Sequence, residues 1–74
     1  MNMIQYTWNE NDTTIVCLCY LLNLSPKVAV TLLPHIKLTS IRAKYSNCRY
    51  LHTGTGWGSN YSKLHEQIWK LINS

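Results

Sequence analysis

The sequence predicts an all-α fold: a small three-helix helix-turn-helix core followed by a fourth helix. Apolar residues recur at intervals of three and four, as they do on one side of a helix. Capping and helix-breaking residues divide the chain into four segments, and no stretch shows the alternation typical of a strand. The helices are expected near residues 9–22, 26–33, 40–51 and 60–72.

Length and composition indicate one domain. The chain has 74 residues, and 46% of them are hydrophobic, which is too many for a disordered tail. Residues 1–74 are therefore expected to form a single small helical domain, with residues 8–51 as the helix-turn-helix core and 60–72 as the C-terminal helix. No apolar run reaches the roughly 18 residues of a membrane span, and none resembles a cleavable signal peptide. We expect an intracellular protein without a membrane partner, nuclear or, if bacterial or viral, cytoplasmic.

The first two helices have clear start and stop signals. Residues 1–7 show no helical stripe and are predicted to be a lead-in anchored by Ile4 and Tyr6. Asn9 is the predicted N-cap of the first helix, which continues through "TTIVCLCYLLNL" and is apolar on nearly every side. Ser25-Pro26 is a typical helix start, and Pro34 ends the second helix.

The third and fourth helices are separated by a glycine-rich loop. Thr39 is the predicted N-cap of the third helix, and Gly54 in "HTGTGWGSN" interrupts it. Trp57, in the middle of that loop, is predicted to plug the core, and Ser59 or Asn60 to begin the fourth helix. The core predicted from these stripes consists of Trp8, Ile15, Leu18, Leu22, Ala29, Leu33, Ile41, Tyr45, Cys48, Leu64 and Ile68.

Positive charge is concentrated on the third helix. The net charge is +4, and no acid occurs between Thr13 and His65. The outward side of the third helix carries arginine and asparagine, the residue types that read guanine and adenine in the major groove. A solvated basic helix face is the alternative interpretation. The predicted DNA-binding residues are Lys37, Thr39, Arg42, Ala43, Lys44, Ser46, Asn47, Arg49 and Tyr50, with the lysines expected on phosphates.

Other chemistry-bearing residues lack a recognisable spacing. Cys17, Cys19, Cys48 and His52 are of zinc-ligand types, but their spacings do not fit a closed tetrahedral site, and buried cysteines that act as small hydrophobes are the simpler interpretation. No metal and no cofactor are therefore predicted. The glycines of the loop follow no strand, so a phosphate-binding role is not expected. No spacing organises the histidines with Cys48, and the sequence predicts no enzyme.

Three segments together resemble a Myb/SANT-like repeat. They are "WNENDTTIV", Ala29 with "LLP", and "LTSIRAKYSNC", in which Tyr45 takes the place of the central aromatic of the third helix. The resemblance covers residues 8–50. It implies a three-helix, homeodomain-like fold whose third helix contacts DNA through Arg42, Ala43, Ser46, Asn47 and Arg49.

The sequence is compatible with two functions. The first is duplex DNA binding through the basic third helix, sequence-specific or guided by DNA structure, in transcription regulation. The second is a protein–protein interaction module of SANT-like fold in a chromatin or transcription complex. Its partner, or a second copy of the chain, would dock on the first helix or on the fourth, where Trp69 lies at the rim of the apolar stripe. The alternative interpretation of Trp69 is that it caps the core of the domain.

Overall fold

The computed structural model describes residues 6–74, and in this part of the chain it contains four helices and no strand. The all-α fold class predicted from the sequence is confirmed, and the predicted helix boundaries agree to within three residues. Ile4, one of the two predicted anchors, lies outside the described residues. In chain order, the helices are α1 (Glu10–Leu21), α2 (Pro26–Leu32), α3 (Leu38–Thr53) and α4 (Lys63–Ile72).

Three helices begin with a side-chain cap. The backbone N–H of Asp12 donates to Asn9 Oδ1 at 2.8 Å, as predicted. The N–H of Val28 donates to Ser25 Oγ at 3.3 Å, and Pro26 follows as the first residue of α2. At α4 the cap is Ser62, two or three residues later than the predicted Ser59 or Asn60. Each cap satisfies one of the backbone donors that a helix N-terminus leaves unpaired.

The start of α3 differs from the prediction. Lys37 occupies the N-cap position without a side-chain hydrogen bond, and Thr39 lies inside the first turn. The α2–α3 turn therefore places α3 without help from a hydroxyl cap. At the other end, Gly54 adopts a left-handed conformation with φ 75°, and its N–H donates to the Tyr50 carbonyl, which ends the helix as predicted.

The core lies between α1 and the other three helices, with α2 and α4 also packed on α3. Leu18 and Leu22 were predicted to be buried but are 42% and 69% exposed. Because α1 is apolar on nearly every side, residue spacing alone does not select its inward face. Packing against the other helices instead buries the face of α1 that carries Val16, Cys17 and Cys19. The buried hydrophobic residues are Val16, Cys17, Cys19, Ala29, Leu33, Ile36, Ile41, Cys48, Ile68 and Trp69, and the predicted Trp8, Ile15, Tyr45 and Leu64 are half-buried against them.

The glycine-rich loop docks on α3 through a glycine instead of its tryptophan. Trp57 is 99% exposed, so the prediction that it plugs the core is wrong. Gly58 is buried, and a Cβ at this position would lie 2.0 Å from the Ser46 carbonyl oxygen. The absence of a side chain at Gly58 therefore permits the close approach between loop and helix.

None of the helices in residues 6–74 has both the length and the apolar character needed to cross a bilayer.

Candidate nucleic-acid interface

Five of the predicted DNA-binding residues form one exposed stripe on α3. Thr39, Arg42, Ser46 and Arg49 follow one another at intervals of three or four, Ala43 lies beside Arg42, and all five are exposed. We call this stripe the outward α3 face. Lys37, immediately before the helix, is exposed as well. The two arginines are seven residues apart, which is about 10 Å along the helix axis.

The arginines of this face are not neutralised by nearby acids. Within residues 6–74 the carboxylate ion pairs are His35 with Asp12, at 3.0 Å, and Lys70 with Glu66, at 3.7 Å. Neither pair involves α3. The guanidinium groups of Arg42 and Arg49 are therefore available to an anionic ligand.

Lys44 does not flank the outward α3 face, which corrects its predicted placement. Its side chain is only 9% exposed, and its ammonium group lies 5.2 Å from the centroid of the Trp8 ring. Burial lowers the pKa of Lys44. The aliphatic stem fills space beside the core, and the charge is held by a cation–π contact instead of facing solvent.

Asn47 and Tyr50 are partly occupied by contacts within the protein. Asn47 Nδ2 donates to the Gly58 carbonyl at 2.7 Å, which anchors the amide that was expected to read adenine. Tyr50 is half-buried, and its ring centroid lies 6.1 Å from that of Tyr61. Both side chains therefore border the outward α3 face, and their orientation is set by the loop that precedes α4.

The turn that presents α3 packs into the core, and α3 is also tied to the loop between α1 and α2. Leu33 and Ile36 are buried in it, and Ala29 of α2 packs behind them. Tyr45 donates its hydroxyl to the Leu24 carbonyl at 2.5 Å and so ties α3 to the loop between α1 and α2. Burial raises the pKa of Tyr45 to about 12, so this hydroxyl remains a donor at neutral pH.

Asp12 connects the start of α1 to the α2–α3 turn. Its carboxylate accepts hydrogen bonds from the Tyr6 hydroxyl and, at 3.0 Å, from His35 Nε2. These contacts, the Tyr6 hydrogen bond first, lower the pKa of Asp12. The same carboxylate raises the pKa of Tyr6. A second, independent connection thus fixes the turn that precedes the outward α3 face.

The structure also brings together three polar side chains that the sequence analysis did not group. Cys17, Cys48 and His65 lie on α1, α3 and α4 and are fully buried. The Cys48 thiol donates to Cys17 Sγ at 3.8 Å, and its sulfur lies 3.1 Å from His65 Nε2. The hydrogen bond between the thiols lowers the pKa of Cys17 and raises the pKa of Cys48. After Cys17 has lost its proton, Cys48 therefore keeps its own.

This cluster differs from the set considered as zinc ligands in the sequence. His52 lies elsewhere, with Nδ1 3.3 Å from the Tyr20 hydroxyl at the surface. His65 was missed because a histidine was not counted in the apolar stripe of the fourth helix. Its spacing of three to Ile68 and four to Trp69, both buried, was the available signal.

No family model, curated protein or solved structure matches this chain.

Proposed function

We propose that the protein binds duplex DNA through the outward α3 face. The observation that carries the proposal is an exposed helical stripe with two arginines and no acid, next to an exposed Lys37. An α-helix fits the major groove, and guanidinium groups bind both guanine edges and phosphates. The short helix α2, a turn and the longer helix α3 follow in the order of a helix-turn-helix unit.

The residues of the face suit different parts of a DNA site. Arg42 lies near the centre of α3 and is assigned to a base edge. Ala43 and Ser46 are small enough to allow the helix close to the groove floor. Lys37, at the N-terminal end, is assigned to a phosphate together with Arg49. Because Lys44 is buried and Asn47 is anchored to Gly58, the reading of bases depends chiefly on Arg42.

The resemblance to Myb/SANT-like repeats supports the same use of the third helix. It is an analogy of fold, and relatives of that shape also bind proteins. Transcription regulation in a nucleus, or in the cytoplasm of a bacterial or viral system, follows as part of this proposal.

A second candidate function is protein–protein interaction through α1. Leu18 and Leu22 are exposed leucines one helical turn apart, and Leu71 on α4 is 75% exposed. Such side chains are typical of surfaces that meet a partner. Trp69 is not available as an anchor, because it is buried and packs against Tyr20 with ring centroids 5.8 Å apart.

An amide NMR titration distinguishes the two functions. The ¹⁵N-labelled full chain is titrated with a mixed-sequence duplex at low and at moderate salt. DNA binding through the outward α3 face shifts the amides of Arg42, Ala43, Ser46 and Arg49, and the shifts persist at moderate salt. Shifts confined to α1 or α4, or shifts that vanish at moderate salt, contradict the proposal and favour a protein partner.

A further inference from the structure

The buried cluster of Cys17, Cys48 and His65 has the composition and spacing of a metal site. The three ligand atoms all lie within 4.8 Å of one another. Two sulfur atoms that bind one ion at about 2.3 Å stand about 3.8–4.0 Å apart. The observed Sγ–Sγ distance of 3.8 Å already has this value. We propose that Cys17, Cys48 and His65 bind Cu(I), with two sulfur ligands and one nitrogen ligand.

The histidine provides a second, independent observation. His65 is fully buried, and its Nδ1 has no hydrogen-bond partner among residues 6–74. Its Nε2 faces the two sulfur atoms and lies 3.1 Å from Cys48 Sγ. An imidazole in a small apolar core is costly unless a specific interaction compensates for its desolvation. A metal bond at Nε2 would give the ring a stronger interaction than the thiol contact, while Nδ1 keeps the ring proton.

The number of ligands favours Cu(I) over Zn²⁺. Structural zinc is almost always held by four ligands in a tetrahedron. Within residues 6–74, no fourth cysteine, histidine or carboxylate joins the cluster. The three side chains have no exposed surface, so bulk water does not reach them to complete a tetrahedron. Cu(I) is a soft ion that thiolates select, and it accepts three ligands in a plane.

The charge balance of the core also favours a monovalent ion. Cu(I) with two thiolates and a neutral imidazole carries a charge of −1. The buried Lys44 precedes Cys48 by one turn of α3, so its charge lies in the same part of the core as the cluster. Ion and lysine together bring the core to neutrality. Zn²⁺ with the same ligands is neutral, so the charge of Lys44 would keep only its contact with the Trp8 ring, which is less favourable in the interior.

Binding requires only the exchange of protons for the ion. The proton shared by Cys48 and Cys17, and any second thiol proton, pass to solvent as the two sulfur–copper bonds form. His65 Nε2 donates its lone pair to the ion, and the ring proton remains on Nδ1. Copper enters and stays as Cu(I), so no electron is transferred and no oxidant is needed.

The chain contains a matched control for this site. Cys19 lies two residues from Cys17 on the same helix and is equally buried, but it is not part of the cluster. Reduced protein is titrated without oxygen against Cu(I) held by bicinchoninate. We expect the unaltered protein and Cys19→Ala to withdraw one Cu(I) per chain, and Cys17→Ala to bind it about 100-fold more weakly or worse. If the two alanine variants bind alike, or if the unaltered protein withdraws no copper, the proposal is overturned.

A spectroscopic measurement keeps the test independent of any variant that fails to fold. X-ray absorption of the Cu(I)-loaded, unaltered protein should show two sulfur neighbours and one nitrogen. A single sulfur neighbour, or oxygen neighbours, would overturn the assignment. Zn²⁺ that displaces Cu(I) at equal concentration overturns the choice of ion. A Cys17–Cys48 disulfide that forms with oxidised glutathione in protein that binds no Cu(I) shows a redox pair instead. Since no DNA is present, a negative result here leaves the DNA-binding proposal unaffected.

Discussion

Asn47 Nδ2 donates to the Gly58 carbonyl oxygen at 2.7 Å, and this contact joins α3 to the loop that leads to α4. At the same place the loop approaches the backbone of α3 so closely that only a glycine fits. The position of the loop on α3 therefore depends on this hydrogen bond and on the lack of a side chain at Gly58. Both contacts lie close to the outward α3 face. A substitution that disturbs them should therefore change the stability of the fold and the shape of the proposed interface together.

Gly58→Ala should be among the most destabilising substitutions in the chain. The new Cβ would lie 2.0 Å from the Ser46 carbonyl oxygen and 2.6 Å from the Asn47 nitrogen, both backbone atoms that cannot rotate away. We expect a loss of about 3 kcal/mol or more in the free energy of unfolding, measured by urea denaturation followed by circular dichroism.

The control for that substitution is Gly56→Ala. Gly56 has φ +104° but nothing within 4 Å of a new Cβ, so only backbone strain is added. Its cost should be about 1–2 kcal/mol. Equal losses at the two positions would show that the close approach at Gly58 does not determine how the loop packs.

Arg42→Ala and Lys37→Ala should weaken DNA binding in different ways. Because Arg42 is assigned to a base edge, Arg42→Ala should cost about 1–3 kcal/mol of binding free energy on a preferred sequence and relax specificity. Because Lys37 is assigned to a phosphate, Lys37→Ala should weaken binding to all duplexes alike. It should also lower the slope of log affinity against log salt concentration by roughly one unit. The affinities of both variants are measured by gel shift or calorimetry over a series of salt concentrations.

Lys70→Ala is the control, because this lysine lies on α4 and pairs with Glu66. A loss as large for Lys70→Ala as for Lys37→Ala would indicate unspecific attraction by net charge.

Tyr45→Ala should remove a central part of the packing on α3. The Tyr45 ring packs edge-on against Tyr20, with centroids 5.7 Å apart, and its hydroxyl holds the Leu24 carbonyl. Truncation should cost about 3–5 kcal/mol, which is enough to unfold most domains of this size. Tyr45→Phe keeps the ring and should cost about 1 kcal/mol, the value of the hydrogen bond. Thermal melting of the two variants separates the contributions, and a Tyr45→Ala protein that melts close to the unaltered one would exclude a central role.

Acid should weaken the fold through Asp12. Because the pKa of Asp12 is lower in the folded chain than the value of about 3.9 in an unfolded chain, its ionised form contributes stability above about pH 4. That contribution is lost as pH falls through the lowered, folded-state pKa. Asp12→Asn should therefore reduce stability at neutral pH and flatten the loss of stability in acid. Glu10→Gln removes an exposed carboxylate from the same turn and serves as the control. Denaturation midpoints from pH 7 to about pH 2 test this, and parallel curves for Asp12→Asn and the unaltered chain would contradict it.

The parts of the structure that local chemistry controls could be predicted from the sequence. Asn9, Ser25 and Gly54 act within one turn of their own position, and each begins or ends a helix as predicted. The exposed arginines of α3 could be predicted for the same reason, because a polar stripe on an amphipathic helix faces solvent. These signals need no knowledge of the neighbouring helices.

Features that depend on contacts between distant residues could not be predicted. Cys17 and Cys48 are 31 positions apart, and nothing in their spacing indicates that they meet. Lys44 was placed at the surface because of its charge, but Trp8, which contacts it, comes from outside α3. Leu18 was placed in the core because of its apolarity, although α1 offers more apolar surface than its neighbours can cover.

Trp57 stands in water one residue before the glycine that touches the backbone of Ser46. The other two tryptophans, Trp8 and Trp69, are half-buried and buried. The fluorescence of the Trp57 indole should therefore have the longest emission wavelength of the three, and acrylamide should quench it more strongly than the other two. A molecule that covers the outward α3 face near Ser46 would shield this indole and leave the other two unchanged. The chain thus carries a built-in optical reporter beside its proposed binding surface, which makes occupancy measurable without attaching a dye.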